Sequence, residues 1–314
     1  MKKLVRIIFV FIFLSMSVSS ETDSNQLWDE IDWSKVVPVQ EIPGFWDGRE
    51  NLQPFVPSRA RSSRIVGGVV VQPNSHPYMV ALLFAHSTGV SLCGGSLIAR
   101  NQVLTSAHCM VGTTNCHVIA GAHDISTTEI TQQRWRVFNL VTNPPSMFPN
   151  YNIHQDYNPS NFHNDIGILR MNTQAEINEA VQLTVFPSIG NFETFEGEIA
   201  TVTGWGRISD NSQSTSSVLR SVQNNVITNN QCAAVYGNVI IESTLCMSTA
   251  GARGKCNQDA GGPLTVSRNG ERIQIGIASF GAAVGCQQGY PSGYARITSF
   301  RQWLQERIIP SVEN

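Results

Sequence analysis

Cys256-Asn257-Gln258-Asp259-Ala260-Gly261-Gly262-Pro263 is the last of three short motifs that occur in a fixed order along this chain. The first two are Thr105-Ser106-Ala107-His108-Cys109 and Asn164-Asp165-Ile166-Gly167-Ile168-Leu169. A histidine oriented by an aspartate is the arrangement that activates a hydroxyl for acyl transfer. The third motif offers no hydroxyl, because residue 260 is alanine, and a methyl group cannot attack a carbonyl carbon.

The region around these motifs reads as a series of strands. From Ile65 to about Thr298, short apolar stretches such as Met79–Phe84 and Ile273–Ser279 alternate with turn residues. This pattern favours an all-β sandwich or barrel. One helix is predicted, at the C-terminal end, where four apolar residues are spaced so that they share one helix face: Phe300, Trp303, Leu304 and Ile308.

The amino-terminal residues 1–20 are typical of a secretory signal peptide. Basic residues precede an apolar run, Ile7–Leu14, and small residues follow it up to Ser20, after which we expect cleavage. The run is shorter than the ~20 apolar residues that span a bilayer. We therefore expect a soluble, secreted, extracellular protein.

Residues 21–64 form a pro-segment that is acidic at first and then rich in proline, and it contains no cysteine. This composition is poor for a packed core, so we predict a partly disordered extension whose tryptophans, Trp28, Trp33 and Trp46, can dock on a neighbouring surface. The segment ends in a basic cluster that includes Arg64. Exposed arginines of this kind invite trypsin-like cleavage.

Composition bounds the partners and the redox state. The net charge is only -2 and 14% of the residues are charged, so nothing suggests a nucleic-acid partner. Seven cysteines in a secreted chain leave one unpaired. For Cys116, the sequence leaves open a buried apolar residue, a free thiol or a bridge to another chain.

From Ile65 to about Ile309 the chain resembles the chymotrypsin family of serine proteases. Ser279-Phe280-Gly281-Ala282-Ala283, together with Cys286 and Gly289-Tyr290-Pro291, is similar to the arthropod chymotrypsin and collagenase-like group called brachyurins. The resemblance implies two six-stranded antiparallel Greek-key β-barrels packed together, a trypsin-like fold with a C-terminal helix. It also places the protease domain at residues 65–314.

The resemblance assigns catalytic roles by position. His108 would be the general base, Asp165 would hold its tautomer, and Ala260 stands at the nucleophile position. A lone histidine is more often a core residue and a lone aspartate a turn residue, but the residues flanking both match the family motifs. Backbone N–H groups of Gln258 and Ala260 would form the oxyanion hole. The family has glycine at position 258, so Gln258 either disturbs that site or is tolerated with a modest shift.

The resemblance also implies a substrate pocket formed by Gly254, Lys255, Ser279, Gly281 and Ser292. Trypsin-like enzymes place an aspartate where this chain has Gly254, so an apolar or aromatic guest is expected rather than lysine or arginine. An inward-pointing Lys255 would instead favour an acidic guest, although lysines usually keep their charge in water. No metal is expected, because Ala122 replaces the glutamate of calcium-binding relatives.

Three disulfides and an activation switch complete what the resemblance implies. The pairs would be Cys93 with Cys109, Cys232 with Cys246, and Cys256 with Cys286, leaving Cys116 unpaired. Cleavage after Arg64 would free the amino group of Ile65, which would then insert beside Asp259 and order the pocket.

Two functions are compatible with these motifs. We favour a non-catalytic protease homologue that binds a peptide or protein in the retained cleft and is cleaved at Arg64 by a trypsin-like protease. The alternative is a chymotrypsin- or collagenase-like endopeptidase whose nucleophile has been removed. Neither function requires a cofactor, a nucleic acid or a membrane.

Overall fold

The computed structural model describes most of the chain between residues 31 and 308. The described residues are 31–45, 47, 68–138, 150–207, 215–251, 254, 259–282, 286 and 288–308. The predicted signal peptide, Arg64 and Ile65 lie outside them, as do Lys255, Cys256 and Gln258. The chain divides into two units, Met1–Trp33 and Ser34–Asn314, and all strands and helices named below lie in the second.

Fifteen strands are found in the described part of the chain. They are β1 (Val36–Pro38), β2 (Val69–Val70), β3 (Met79–His86), β4 (Gly89–Ala99), β5 (Gln102–Thr105), β6 (Asn115–Ala120), β7 (Gln133–Val137), β8 (Tyr151–Ile153), β9 (Gly167–Arg170), β10 (Ile199–Gly204), β11 (Arg220–Ile227), β12 (Thr244–Met247), β13 (Pro263–Arg268), β14 (Glu271–Ala278) and β15 (Ser292–Arg296). Three helices accompany them: α1 (Ala107–Met110), α2 (Asn229–Tyr236) and α3 (Arg301–Arg307). Short 3-10 turns lie at Trp33–Lys35, Val39–Glu41, Gly237–Val239 and Ile297–Phe300.

The strands form two sheets. The first has the order β7-β6-β3-β4-β5-β9-β8, with β1 added to β4, and the second has the order β10-β13-β14-β15-β12-β11-β2. Pairing of β10 with β11 closes the second sheet into a six-stranded barrel that carries β2 at its side. In the described part of the chain, the first sheet has seven strands besides β1, whereas six were predicted. The predicted all-β fold with two barrel-like sheets is confirmed.

The helices match the sequence prediction only in part. The predicted C-terminal helix is confirmed as α3, and Phe300, Trp303 and Leu304 are buried in an apolar cluster with core residues of both sheets. Helix α2 was not predicted. It begins with a capping box, in which the Gln231 N–H donates to the Thr228 side chain while the Gln231 side chain accepts from the Thr228 N–H.

Residues 34–45 belong to the extension that was predicted to be partly disordered, and they pack on the first sheet. Val39, Ile42 and Phe45 are buried there, whereas the prediction gave the docking role to tryptophans. Of those, Trp28 and Trp46 lie outside the described residues. The apolar residues of this segment are too dispersed among charged and proline residues to show a periodicity, so only their distant partners give them a place in the core.

None of the helices in the described part of the chain could span a bilayer.

Candidate active site

The imidazole of His108 and the carboxylate of Asp165 are brought together by two neighbouring strands. Strand β5 ends at Thr105 and leads into α1, which carries His108, while Asp165 precedes β9, the antiparallel partner of β5. The His108 backbone N–H donates to Asp165 Oδ1 at 2.9 Å, and His108 Nδ1 lies 2.7 Å from Asp165 Oδ2. The carboxylate therefore fixes both the backbone and the ring of His108, as a general base requires.

A third group completes this buried network. The Ser279 hydroxyl donates to Asp165 Oδ2 at 2.5 Å. Ser279 was predicted as a pocket residue, which stays a prediction, and its hydroxyl is buried against the aspartate. Burial tends to raise the pKa of Asp165, yet the His108 ring and the hydrogen bonds from His108 and Ser279 outweigh it and hold the pKa below its ordinary value. Asp165 thus remains ionised as the partner of the imidazole.

Ala260 lies in a tight turn that packs on the strands leading to His108. The Gly94 N–H donates to the Ala260 carbonyl at 2.7 Å, and the Gly261 N–H donates to the Ala278 carbonyl at 2.7 Å. Gly261 has a φ of +79°, and a Cβ there would lie 2.1 Å from Thr105 Oγ1. Only glycine fits at 261, so the turn holds residue 260 against β4 and β5. The Ala260 side chain is a buried methyl group, 1% exposed.

Asp259, the predicted partner of a new amino terminus, is also buried. Its Oδ1 accepts a hydrogen bond from the Gly206 N–H at 2.9 Å. Gly204 and Gly206 make room for it, because a Cβ at either position would lie within 2.5 Å of the carboxylate. Since Ile65 lies outside the described residues, the predicted ion pair remains a prediction, as does the oxyanion hole that includes Gln258.

The predicted pocket residues lie partly together. A Cβ on Gly254 would lie 3.3 Å from Ser292 Oγ and 2.5 Å from the methyl group of Thr249, so these three residues are neighbours. Thr249 was not predicted; its hydroxyl donates to the Tyr290 carbonyl at 2.8 Å. A Cβ on Gly281 would meet no atom of the described residues within 4 Å.

Aromatic rings surround His108, and the sequence reading assigned them no role. Phe162 lies edge-on to the imidazole, with ring centroids 5.4 Å apart, and Phe45 from the amino-terminal extension does the same at 6.0 Å. Phe280 stacks on Phe162 at 6.3 Å, and Tyr236 meets Phe280 at 5.3 Å. His108 is consequently 1% exposed. Phe162 lies three residues before Asp165, and Phe280 directly follows Ser279. Their places beside the motifs are the sequence feature that could have indicated contact with the site.

Two of the implied disulfides are present, Cys93–Cys109 and Cys232–Cys246. Cys286 is also disulfide-bonded, but its implied partner lies outside the described residues. Cys116 is buried and is not in a disulfide, and burial raises the pKa of its thiol well above the ordinary value. In the described part of the chain, no group of three or more His, Cys, Asp or Glu side chains could hold a metal ion.

Comparison with known proteins places this geometry in a family. The trypsin family model matches residues 65–304. Brachyurin from Leptuca pugilator is 38% identical over 77% of this chain and 97% of its own length, and chymotrypsin from Phaedon cochleariae is 35% identical over 78% and 82%. A venom serine protease from Polistes dominula is 34% identical over 79% and 86%.

Solved structures agree with the sequence relatives. A structure described as HL collagenase superimposes with a TM-score of 0.66 at 29% identity, covering 77% of this chain and 97% of that one. The structure of GrC gives 0.65 at 28% identity, over 76% and 97%. The resemblance seen in the sequence is therefore confirmed at the level of the family: this chain belongs to the trypsin family of chymotrypsin-like serine proteases.

Proposed function

We propose that this chain is a secreted, non-catalytic member of the family that binds a polypeptide in the cleft beside His108. The observation that carries the proposal is Ala260. A methyl group has neither a lone pair to attack a carbonyl nor a proton for His108 to remove. In a related kind of site, loss of the serine nucleophile lowers turnover by a factor on the order of 10⁶.

The hydrogen bonds and aromatic rings around His108 support a cleft that can still bind a ligand. The Asp165 carboxylate is hydrogen-bonded to His108 and Ser279, so its buried charge is matched and the wall beside His108 is ordered. Aromatic rings of Phe162, Phe280 and Tyr236 line the same region. They favour a polypeptide that presents apolar or aromatic side chains.

Secretion and activation belong to the same proposal. Disulfides persist in oxidising compartments outside the cytosol, one relative is named as a venom protease, and the first 20 residues read as a signal peptide. The family model begins at residue 65, directly after Arg64. We propose that a trypsin-like protease cleaves there, that the Ile65 amino group then pairs with Asp259, and that this orders the cleft for its ligand.

The catalytic half of the proposal is tested by labelling and turnover. Protein cleaved after Arg64 should neither take up a fluorophosphonate probe nor hydrolyse peptides with an aromatic residue before the scissile bond. The matched variant is Ala260→Ser, which adds one oxygen and should react with the probe if the cleft is otherwise intact. Labelling of the unaltered protein at the cleft by the fluorophosphonate probe would overturn the hypothesis that it is non-catalytic.

The binding half is tested with fluorescein-labelled, unfolded β-casein. The cleaved protein should bind it without cutting it, and Phe280→Ala should weaken binding by roughly tenfold, as loss of one aromatic anchor does in other interfaces. Phe192→Ala is the matched control, because Phe192 is 87% exposed. Equal binding by both variants would argue against a ligand in this cleft.

The second candidate is an endopeptidase that lacks only its nucleophile. The intact hydrogen-bond network from His108 through Asp165 to Ser279 favours it. If Ala260→Ser gives turnover typical of the family, the site is complete except for one atom. If Ala260→Ser shows no turnover, Gln258 or the pocket is also incompatible with catalysis. Binding is then the remaining function.

A further inference from the structure

Residues 34–45, here called the cleft segment, add a strand to the catalytic side of the first sheet. Strand β1 pairs in parallel with β4, with Val36 opposite Val90 and Pro38 opposite Leu92. One edge of β4 is occupied by β3 from Gly89 to Ser96. Strand β1 must therefore use the other edge.

That other edge of β4 is also the edge that holds the candidate active site. Gly94 donates to the Ala260 carbonyl there, and β5, which leads to His108, pairs with β4 from Ser96 onward. Going along the edge, the cleft segment, the Ala260 turn and β5 follow one another. The cleft segment thus lies directly beside the residue at the nucleophile position.

A compact turn then directs Phe45 onto the imidazole. The Ile42 N–H donates to the Val39 carbonyl at 3.2 Å, and the Phe45 N–H donates to the Ile42 carbonyl at 3.0 Å. Gly44, with a φ of +84°, allows this bend. Phe45 is 9% exposed and its ring contacts those of both His108 and Phe162, with centroids 6.0 and 6.4 Å away.

An ion pair joins the same turn to Arg207, which follows β10 of the second sheet. Arg207 Nη1 lies 2.6 Å from Glu41 Oε1, and Arg207 Nη2 donates to Glu41 Oε2 at 2.9 Å. Such a two-point contact between a guanidinium and a carboxylate orients the partners as well as attracting them. Backbone pairing, an aromatic anchor and an oriented ion pair are together the features of a seated peptide ligand.

We infer that the cleft segment is a built-in occupant of the polypeptide-binding cleft, which an outside ligand must displace. This rests on the proposed function for the statement that the cleft binds polypeptides. No cysteine precedes Cys93, so no disulfide can retain the segment. While Arg64 is intact, the segment is tethered and competes at a high effective concentration; after cleavage it becomes a separate peptide that can dissociate. Cleavage after Arg64 therefore opens the cleft to ligands with an extended apolar run followed by an aromatic residue.

Hydrogen exchange on the full, uncleaved chain tests occupancy without any ligand. In wild type, the amides that face the pairing between β1 and β4, those of Val37, Val39, Val90 and Leu92, should be protected. Phe45→Ala should speed their exchange by at least roughly tenfold, because exchange follows the population of the open form, while amides of β13 stay unchanged. Phe192→Ala should leave both regions as in wild type. Unprotected exchange of the Val37 and Val39 amides in wild type, or equal exchange in Phe45→Ala, would overturn the inference.

Competition is measured with a fluorescein-labelled peptide of residues 34–45. The uncleaved Phe45→Ala chain should bind it at least roughly tenfold more tightly than uncleaved wild type, since an occupied site lowers apparent affinity in proportion to its open fraction. Cleavage after Arg64 and removal of the extension should have the same effect on wild type. Equal, measurable binding by all three forms overturns the inference and leaves the proposed function standing. If Phe45→Ala exchanges freely yet binds neither this peptide nor β-casein, the proposed function fails instead.

Discussion

The ring of Phe45 meets the imidazole of His108 edge-on, with an interplanar angle of 74°. One ring belongs to the amino-terminal extension and the other to the protease body. Together with Phe162, Phe45 leaves His108 1% exposed. The reactivity of His108 towards small reagents should therefore report whether the extension is in place.

We expect His108 to resist carbethoxylation by diethyl pyrocarbonate in the uncleaved chain. Phe45→Ala should raise the rate at His108 by roughly tenfold, because modification of a covered group follows local opening. Peptide mapping by mass spectrometry separates His108 from the other histidines. Phe192→Ala serves as control and should leave the rate unchanged; equal rates in all three proteins would mean that Phe45 does not cover the ring.

Asp165 contributes to stability as well as to the geometry of the site. Asp165→Asn keeps the shape but removes the charge that His108 and Ser279 donate to. We expect it to lower the free energy of unfolding by about 1–3 kcal/mol at pH 7, the usual cost of leaving buried partners poorly matched. Asp156→Asn, at an exposed carboxylate, is the control and should lie within about 0.5 kcal/mol of wild type. Urea titration measures both.

The charge of Asp165 also determines how the free energy of unfolding changes with pH in the acid range. Its pKa is lower in the folded state than in an unfolded chain, so the unfolded chain binds more protons as the pH falls. The stability contributed by the ionised carboxylate is present above its ordinary pKa and is lost as the pH falls below it. Asp165→Asn should therefore lose less stability than wild type between pH 5 and acid denaturation. Parallel acid profiles would contradict this.

The sequence motifs led us to expect contact between His108 and Asp165, which the structure has, but they did not indicate the residues that cover His108. His108, Asp165 and Ala260 lie in local motifs whose spacing is tied to the strands that carry them. The contact of Phe45 with His108 depends on pairing between β1 and β4, strands far apart in the chain, and no local pattern encodes that. The motif likewise gave the position of Ser279 but not the direction of its hydroxyl, which depends on packing against Asp165.

Helix α2 was missed for a different reason. Its Thr228 and Gln231 form a capping box that is visible in the sequence, but the helix has little apolar periodicity, and only Cys232 is buried. The sequence feature that could have predicted α2 is its capping box, not an apolar helix face. Strands, by contrast, were predictable as a class from their short apolar stretches, while their closure into a barrel through β10 and β11 was known only by resemblance.

The turn at residue 261 should be sensitive to a single methyl group. Gly261 and Gly270 both have positive φ, +79° and +82°, but a Cβ at Gly261 would lie 2.1 Å from Thr105 Oγ1 and one at Gly270 would meet nothing within 4 Å. Both alanine variants lose about 1–2 kcal/mol to the left-handed conformation. Gly261→Ala should lose a further 1–3 kcal/mol, roughly, from overpacking. Equal losses in urea titration would show that the contact at Gly261 relaxes freely.

His76 makes the protein sensitive to mild acid at a place distant in sequence from the site. The ring is buried, its Nδ1 lies 3.0 Å from Ser75 Oγ, and its Nε2 has no hydrogen-bond partner among the described residues. Burial, and to a smaller extent the charge of Arg272, lower the pKa of His76 to about 4. In an unfolded chain the pKa of histidine is about 6.5. Between these two values the unfolded chain binds more protons, so the free energy of unfolding falls as the pH is lowered.

We expect His76→Phe to show a smaller loss of stability than wild type between pH 6.5 and 4, because the variant cannot take up that proton. The readout is the slope of the unfolding free energy against pH from urea titrations, which is independent of any constant change caused by the new ring. The slope should shrink without vanishing, since burial and Arg136 also lower the pKa of His117 to about 4. A wild-type slope in His76→Phe would mean that His76 protonates without unfolding the protein, and hence that its surroundings admit a charged ring.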